Sequence, residues 1–212
     1  AAAVALATLR TLAGFGDSLM LVVPSDHEIS TVRQFWQSVE AGAAVAREGR
    51  LVVFGIRPMQ PETGYGYIEV AADRNGIFDV SRFVEKPDLA TAQRYVDAGN
   101  FYWNTGIFLF RASAMRDAFR AYQPAIWEAV EAAFEAATSD LSGLYMPIEL
   151  YSAVPSISID YAIMERAERI AMVPASFRWN DLGSWQSLLD IGAADENGNV
   201  IKQGFDYYLK PM

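Results

Sequence analysis

Apolar positions along the chain come in two kinds of run. Leu19 to Val23 and Leu51 to Ile56 are short and continuous, without intervening polar residues. A strand with one wet face alternates, so continuous runs predict strands covered on both faces. Between them Val32, Phe35, Trp36, Val39 and Val45 recur near helical spacing. Ser30 is placed to cap that segment, which predicts a helix through about Arg47. Ahead of both runs, Ala1 to Ala13 is rich in strong helix formers and is predicted to close at Gly14. Helix, strand, helix, strand is the order of a layered α/β fold with a mixed, mostly parallel central sheet.

The pattern changes after residue 57. PETGYGYIEV reads as a Gly-bearing turn feeding a short strand, and AADRNGIFDVSRFVEKP as a hairpin turning at Asn75 and Gly76. These are antiparallel additions. A helix is predicted over about Leu89 to Ala98 and an apolar strand over Ile107 to Phe110. Ser113 is placed to cap a helix through Tyr122, and Pro124 to start another running to about Ala137. Beyond Pro155 the pattern predicts a helix around Tyr161 to Ala167, short strands at Ala171 to Val173 and Phe177 to Trp179, then a helix from Ser184. Residues 192–212 read as a tail or the start of a further domain, set against a main domain over 1–191.

An open α/β sheet normally begins with a strand, whereas this chain opens in the middle of a βα unit. The first strand and its loop are where such sheets usually hold phosphate. The expectation is therefore an N-terminally incomplete piece of a longer protein.

Composition narrows the chemistry. The 212 residues are 52% hydrophobic, enough to bury a sizeable core. A net charge of -9 without any cluster of Lys or Arg argues against nucleic acid or anionic lipid as a partner, so a phosphate ligand would need local groups or a metal. Absence of cysteine excludes disulfides, thiolate catalysis and Cys-based zinc sites, and His27 is the single histidine. No apolar run suffices for a membrane span, and the start lacks the layout of a signal peptide, so a cytoplasmic location is the default expectation.

Ligands of open α/β sheets bind beyond the carboxyl ends of strands, which directs attention to polar residues just after apolar runs. Asp26 follows LMLVVPS and Asp181 follows FRWN. If they converge, they make an oxygen-only site suited to Mg²⁺; singly, each reads equally well as an Asx-turn or helix cap. His27 has the plain reading of a loop residue satisfied by backbone. In TGYGY, Gly64 and Gly66 let backbone approach a ligand beside Tyr65. Asn104, between aromatics, is suited either to sugar hydroxyls or to local backbone. Asp160, in apolar surroundings, is a helix cap or a buried partner for a cation such as Lys86. In RFVEKPD, strand neighbours point to opposite faces, so Glu85 and Lys86 are expected not to serve each other.

PSDH, FGIRPMQPETGYGYIE, RFVEKPD, NFYWNTGIFLFRAS, SISIDYAIMER and WNDLGSW, in this order, resemble the sugar-nucleotide pyrophosphorylases, and more narrowly the bacterial mannose-1-phosphate guanylyltransferases. The match runs from about Ala1 to Ile191. The resemblance implies a Rossmann-like three-layer nucleotidyltransferase domain that makes GDP-mannose and pyrophosphate from mannose 1-phosphate and GTP. It implies Asp26 and Asp181 as Mg²⁺ ligands, and with Lys86 as the catalytic set. Glu85 and Lys86 would meet the sugar hydroxyls and phosphate, Tyr65, Gly66 and Asn104 would line the hexose pocket, and Asp160 would stand beside the lysine.

The Gly-rich, Arg-bearing N-terminal signature of that family is absent from these residues, which implies that residues 1–212 alone do not turn over substrate. Two alternatives stay open: a glucose-1-phosphate nucleotidyltransferase using dTTP or UTP, and a non-catalytic sugar-nucleotide-binding paralogue that regulates a partner. Whether the protein forms a homo-oligomer is left open.

Overall fold

The computed structural model describes residues 1–140 and 143–183. It opens with α1 (Ala2–Phe15), β1 (Leu19–Val22), a short β2 (Glu28–Ile29), α2 (Val32–Arg47) and β3 (Leu51–Ile56). The hairpin β4 (Tyr67–Arg74) and β5 (Ile77–Val84) follows, then α3 (Leu89–Ala98), β6 (Phe101–Arg111), α4 (Ala112–Tyr122) and α5 (Pro124–Glu135). A small hairpin of β7 (Thr138–Asp140) and β8 (Gly143–Tyr145) precedes α6 (Ile148–Ser152), a π-helical turn at Asp160–Met164, β9 (Ile170–Pro174) and β10 (Trp179–Asn180).

Local chemistry explains the elements that match expectation. Asn75 and Gly76 take φ of 58° and 85°, the pair of left-handed residues that a tight β4–β5 turn requires. Asp88 caps α3 by accepting the Thr91 N–H at 2.7 Å. Other elements depart from it. Helix α1 continues through Gly14, because Leu9 and Leu12 pack on the core and outweigh one glycine's low propensity, and the chain leaves it at Gly16. Ser113 is no cap; its N–H and hydroxyl both donate to Asp17. The segment after Pro155 forms one π turn rather than a helix to Ala167. On α2, Trp36 and Val32 face solvent, and the buried stripe is Phe35, Ser38, Val39, Gly42 and Ala46. The helix expected from Ser184, the boundary at 191 and the tail 192–212 lie outside the described residues.

The central sheet has the order β1-β6-β3-β9-β5-β4, and β4 also pairs with β6. It is mixed, as expected. Strands β1, β3, β9 and β4 run one way and β6 and β5 the other, so the common direction holds for most strands. Neighbour pairing does not follow it: among the described residues only β3–β9 is parallel, because β6 returns antiparallel between β1 and β3. Residues along the central strands alternate between two cores. Val53, Phe108, Phe110 and Met172 join the layer of α1, α4 and α5, while Val52, Phe54, Leu109 and Val173 join Phe35 and Val39 of α2. Apolar runs are continuous here because both faces are covered. β1 is different; all four of its residues are only half-buried.

One irregularity opens a cleft in the sheet. Along a single edge, β6 pairs with β4 at Phe101 to Trp103 and with β1 from Phe108 to Arg111. The backbone of residues 104–107 is left between these two partners, and a notch opens there.

Candidate active site

Strand β6 supplies the floor of the notch. Asn104 donates its backbone N–H to Gly66 O at 2.8 Å, at the point where β4 departs. Its side chain is almost wholly buried and engaged at both ends: Oδ1 accepts the Gly106 N–H at 3.2 Å, and Nδ2 donates to Asp160 Oδ1 at 3.1 Å. Thr105 turns inward and donates its hydroxyl to Phe54 O at 2.9 Å. Gly106 has φ +70°, and Pro24 and His27 pack over the space a side chain would fill.

Two loops distant in sequence meet above this floor. β2 and β10 pair antiparallel, Ile29 opposite Trp179 and Glu28 opposite Asn180. His27 Nδ1 accepts the Trp179 indole N–H at 3.0 Å, with the rings edge to face at 5.3 Å. The histidine is thus satisfied by a side chain, and not by the backbone that its plain reading suggested. Tyr65 packs edgewise on Trp103 and Trp179 and donates its hydroxyl to Asp181 Oδ1 at 3.1 Å. Burial, then the Asp181 charge, pushes the Tyr65 phenol upward, so it stays a donor.

The third wall is the end of β5. That strand stops at Val84, and Lys86 takes φ +48° just ahead of Pro87. The turn brings Lys86 Nζ within 3.7 Å of Glu85 Oε1. This corrects the expectation that the two do not serve each other: the opposite-face rule applies within a strand, and Lys86 lies beyond one. Lys86 therefore pairs with Glu85 in place of Asp160. Burial first, and then the nearby Asp160 charge, raise the Glu85 carboxyl to about 6, with Lys86 opposing. Burial also raises Asp160, against the hydrogen bond from Asn104. Gly66 matters here, because a Cβ on it would collide with Glu85 Oε2.

Tyr65, Gly66, Glu85, Lys86, Asn104, Asp160 and Asp181 all line one cleft of about 410 Å³, together with His27, Gly106, Ile159 and Trp179. Asp26 does not line it; its side chain is 83% exposed and lies 4.0 Å from His27 Nε2. Among the described residues no three metal-binding side chains cluster. Glu165, which the residue pattern did not single out, accepts the Glu85 N–H at 3.1 Å. It lies within the SISIDYAIMER motif, where nothing in the spacing marks it as a partner of a turn 80 residues away.

The family described as nucleotidyl transferase matches residues 1–198. The xanthan biosynthesis protein XanB of Xanthomonas campestris pv. campestris is 48% identical over 200 residues, spanning 94% of this chain and 43% of that protein. A mannose-1-phosphate guanylyltransferase of Escherichia coli is 44% identical over 207 residues, 94% of this chain and 43% of that protein. The chain thus spans about two-fifths of the length of these relatives. The crystal structure titled mannose-1-phosphate geranyltransferase from Thermus thermophilus superposes with TM-score 0.80 at 34% identity, covering 92% of this chain and 56% of that one. A structure titled mannose-6-phosphate isomerase from Helicobacter pylori follows at TM-score 0.76 and 32% identity, covering 84% of this chain and 70% of that one. The length of the family match, and a superposition that covers 92% of the chain, lead to one conclusion: this chain belongs to the nucleotidyl transferase family.

Proposed function

We propose that the full-length protein transfers a guanylyl group from GTP to mannose 1-phosphate, releasing pyrophosphate, and that this chain supplies the sugar-phosphate side of the site. The observation that carries the reading is the meeting, in one cleft, of Tyr65, Gly66, Glu85, Lys86, Asn104, Asp160 and Asp181 from segments far apart in sequence. The name of the Escherichia coli relative supports mannose and guanylyl as the two halves.

In the reaction a phosphate oxygen of mannose 1-phosphate attacks the α-phosphorus of GTP, and the bond to the pyrophosphate oxygen breaks. The nucleophile is already ionised, so the obstacles are charge repulsion and alignment, not proton transfer. Lys86 presents an ammonium to the sugar phosphate. Glu85 and Asp160 offer carboxylate oxygens to hydroxyls, and Asn104 holds Asp160 in place. Tyr65 and the tryptophans beside it wall off one side of the cleft.

Asp26 and Asp181 fit a magnesium ion in chemical type, offering hard oxygen donors, and Asp181 is oriented by Tyr65 and the Gly183 N–H. An ion held by these residues would supply neutralisation of the charge that the two phosphates bring together.

The test is turnover of the full-length protein with mannose 1-phosphate plus GTP, against glucose 1-phosphate plus dTTP or UTP, with sugar nucleotide separated by chromatography. Preference for mannose 1-phosphate and GTP by tenfold or more in kcat/KM is expected. Equal or reversed preference overturns the substrate assignment, and binding of GDP-mannose without turnover overturns the activity.

A further inference from the structure

Among the described residues that line the cleft, Lys86 supplies the ammonium, and it does so from an unfavourable backbone position. Its φ of +48° lies in the left-handed region, and the following Pro87 disfavours helical-type conformations at residue 86. Such a conformation persists only where its surroundings enforce it. Two hydrogen bonds do so. The Lys86 N–H donates to Tyr65 O at 3.2 Å, and the Glu85 N–H donates to Glu165 Oε1 at 3.1 Å. The first comes from backbone that the adjoining Gly66–Asn104 bond already anchors. The second depends on a single exposed side chain.

The position of that side chain follows from the π turn. Glu165 donates its own N–H to Asp160 O at 2.9 Å, closing the wider loop of a π turn, so one short element carries both Asp160, in the cleft, and Glu165, behind it. Glu165 does not line the cleft; it holds the backbone from which Glu85 and Lys86 project, and its charge acts on the Glu85 and Asp160 carboxyls. We infer that Glu165 is a positioning residue: its carboxylate clamps the Glu85 amide and so keeps the Lys86 ammonium and Glu85 carboxylate aimed at the sugar phosphate. The inference rests on the reading of this cleft as the sugar-phosphate site.

Amide hydrogen exchange and kinetics on the full-length protein test it together. In wild type the Glu85 amide is protected; Glu165→Ala should remove that protection and Glu165→Gln, whose amide oxygen still accepts, should keep it. Loss of one such bond is expected to lower kcat/KM for mannose 1-phosphate about five- to tenfold in Glu165→Ala, with KM for GTP unchanged and near-complete rescue in Glu165→Gln. In a Lys86→Ala background, Glu165→Ala should cost less than it does in wild type, because only the aim of Glu85 is left to lose, whereas a merely structural loss would add in full. Unchanged protection in Glu165→Ala, equal damage from Gln and Ala, or additive losses in the double variant would each overturn the clamp. If wild type turns over neither substrate pair, the proposed function fails while the exchange result still decides whether Glu165 holds the turn.

Discussion

Lys86 Nζ stands 3.7 Å from Glu85 Oε1, although the two are neighbours in the chain, because β5 ends at Val84 and Lys86 turns back in a left-handed conformation. The Lys86 side chain is 61% exposed, so nothing in the core depends on it. Lys86→Met is expected to lower turnover by two or more orders of magnitude, as for a lost charge at a phosphoryl site, with Tm within about 2 °C of wild type. Steady-state kinetics with thermal unfolding checks both halves; unchanged kinetics would place the pair outside the reaction.

Gly66 is held at zero side chain by its neighbour. A methyl group there collides with Glu85 Oε2 and also lies against the side chains of Asn104 and Phe83. Gly66→Ala should displace Glu85, at the cost typical of overpacking, about 1–3 kcal/mol. We expect kcat/KM for mannose 1-phosphate to fall at least tenfold, with KM for GTP little changed. A loss shared equally by both substrates would argue against a local effect on the sugar side.

The raised Glu85 carboxyl has a consequence for stability. Its folded value of about 6 lies above the unfolded 4.5, so the fold disfavours the ionised form. That cost is absent below about pH 4.5, appears as pH rises through the interval and is complete above about pH 6. Glu85→Gln removes the ionisation. Its Tm relative to wild type should therefore increase across this window and level off above it, and a difference independent of pH would contradict the assignment.

Tyr65 and Asp181 are linked by a single hydrogen bond from phenol to carboxylate. If Asp181 holds magnesium, Tyr65→Phe frees the carboxylate to rotate and should raise the Mg²⁺ concentration for half-maximal rate about 10- to 100-fold. Asp181→Asn should do more. Chelation with EDTA is expected to abolish turnover and Mg²⁺ to restore it; a rate indifferent to chelator would remove both aspartates from a metal role.

The layered α/β class, the Asn75–Gly76 hairpin and α3 were legible in the sequence, and seven of the eight residues singled out there line one cleft, because each depends on neighbours a few positions away or on a motif that travels as a unit. Patterning also assigned Val52 and Val53 to a doubly covered strand, since an apolar run without alternation has no wet face to serve. Direction of pairing was not legible. A strand's own residues do not say which neighbour it meets, and β6 is antiparallel to β1 and β3 through contacts made across the whole fold. Nor did spacing show that Asn104 spends its side chain on Asp160 and Gly106, that Trp179 fixes His27, or that Glu165 supports the Glu85–Lys86 turn. Those are hydrogen bonds between side chains and groups brought close only by folding. The sequence by itself determined which chemical groups this protein owns and the local turns that present them; tertiary structure decided which groups face the cleft and which stand behind to hold the others, because hydrogen-bond geometry exists only between atoms placed within about 3 Å.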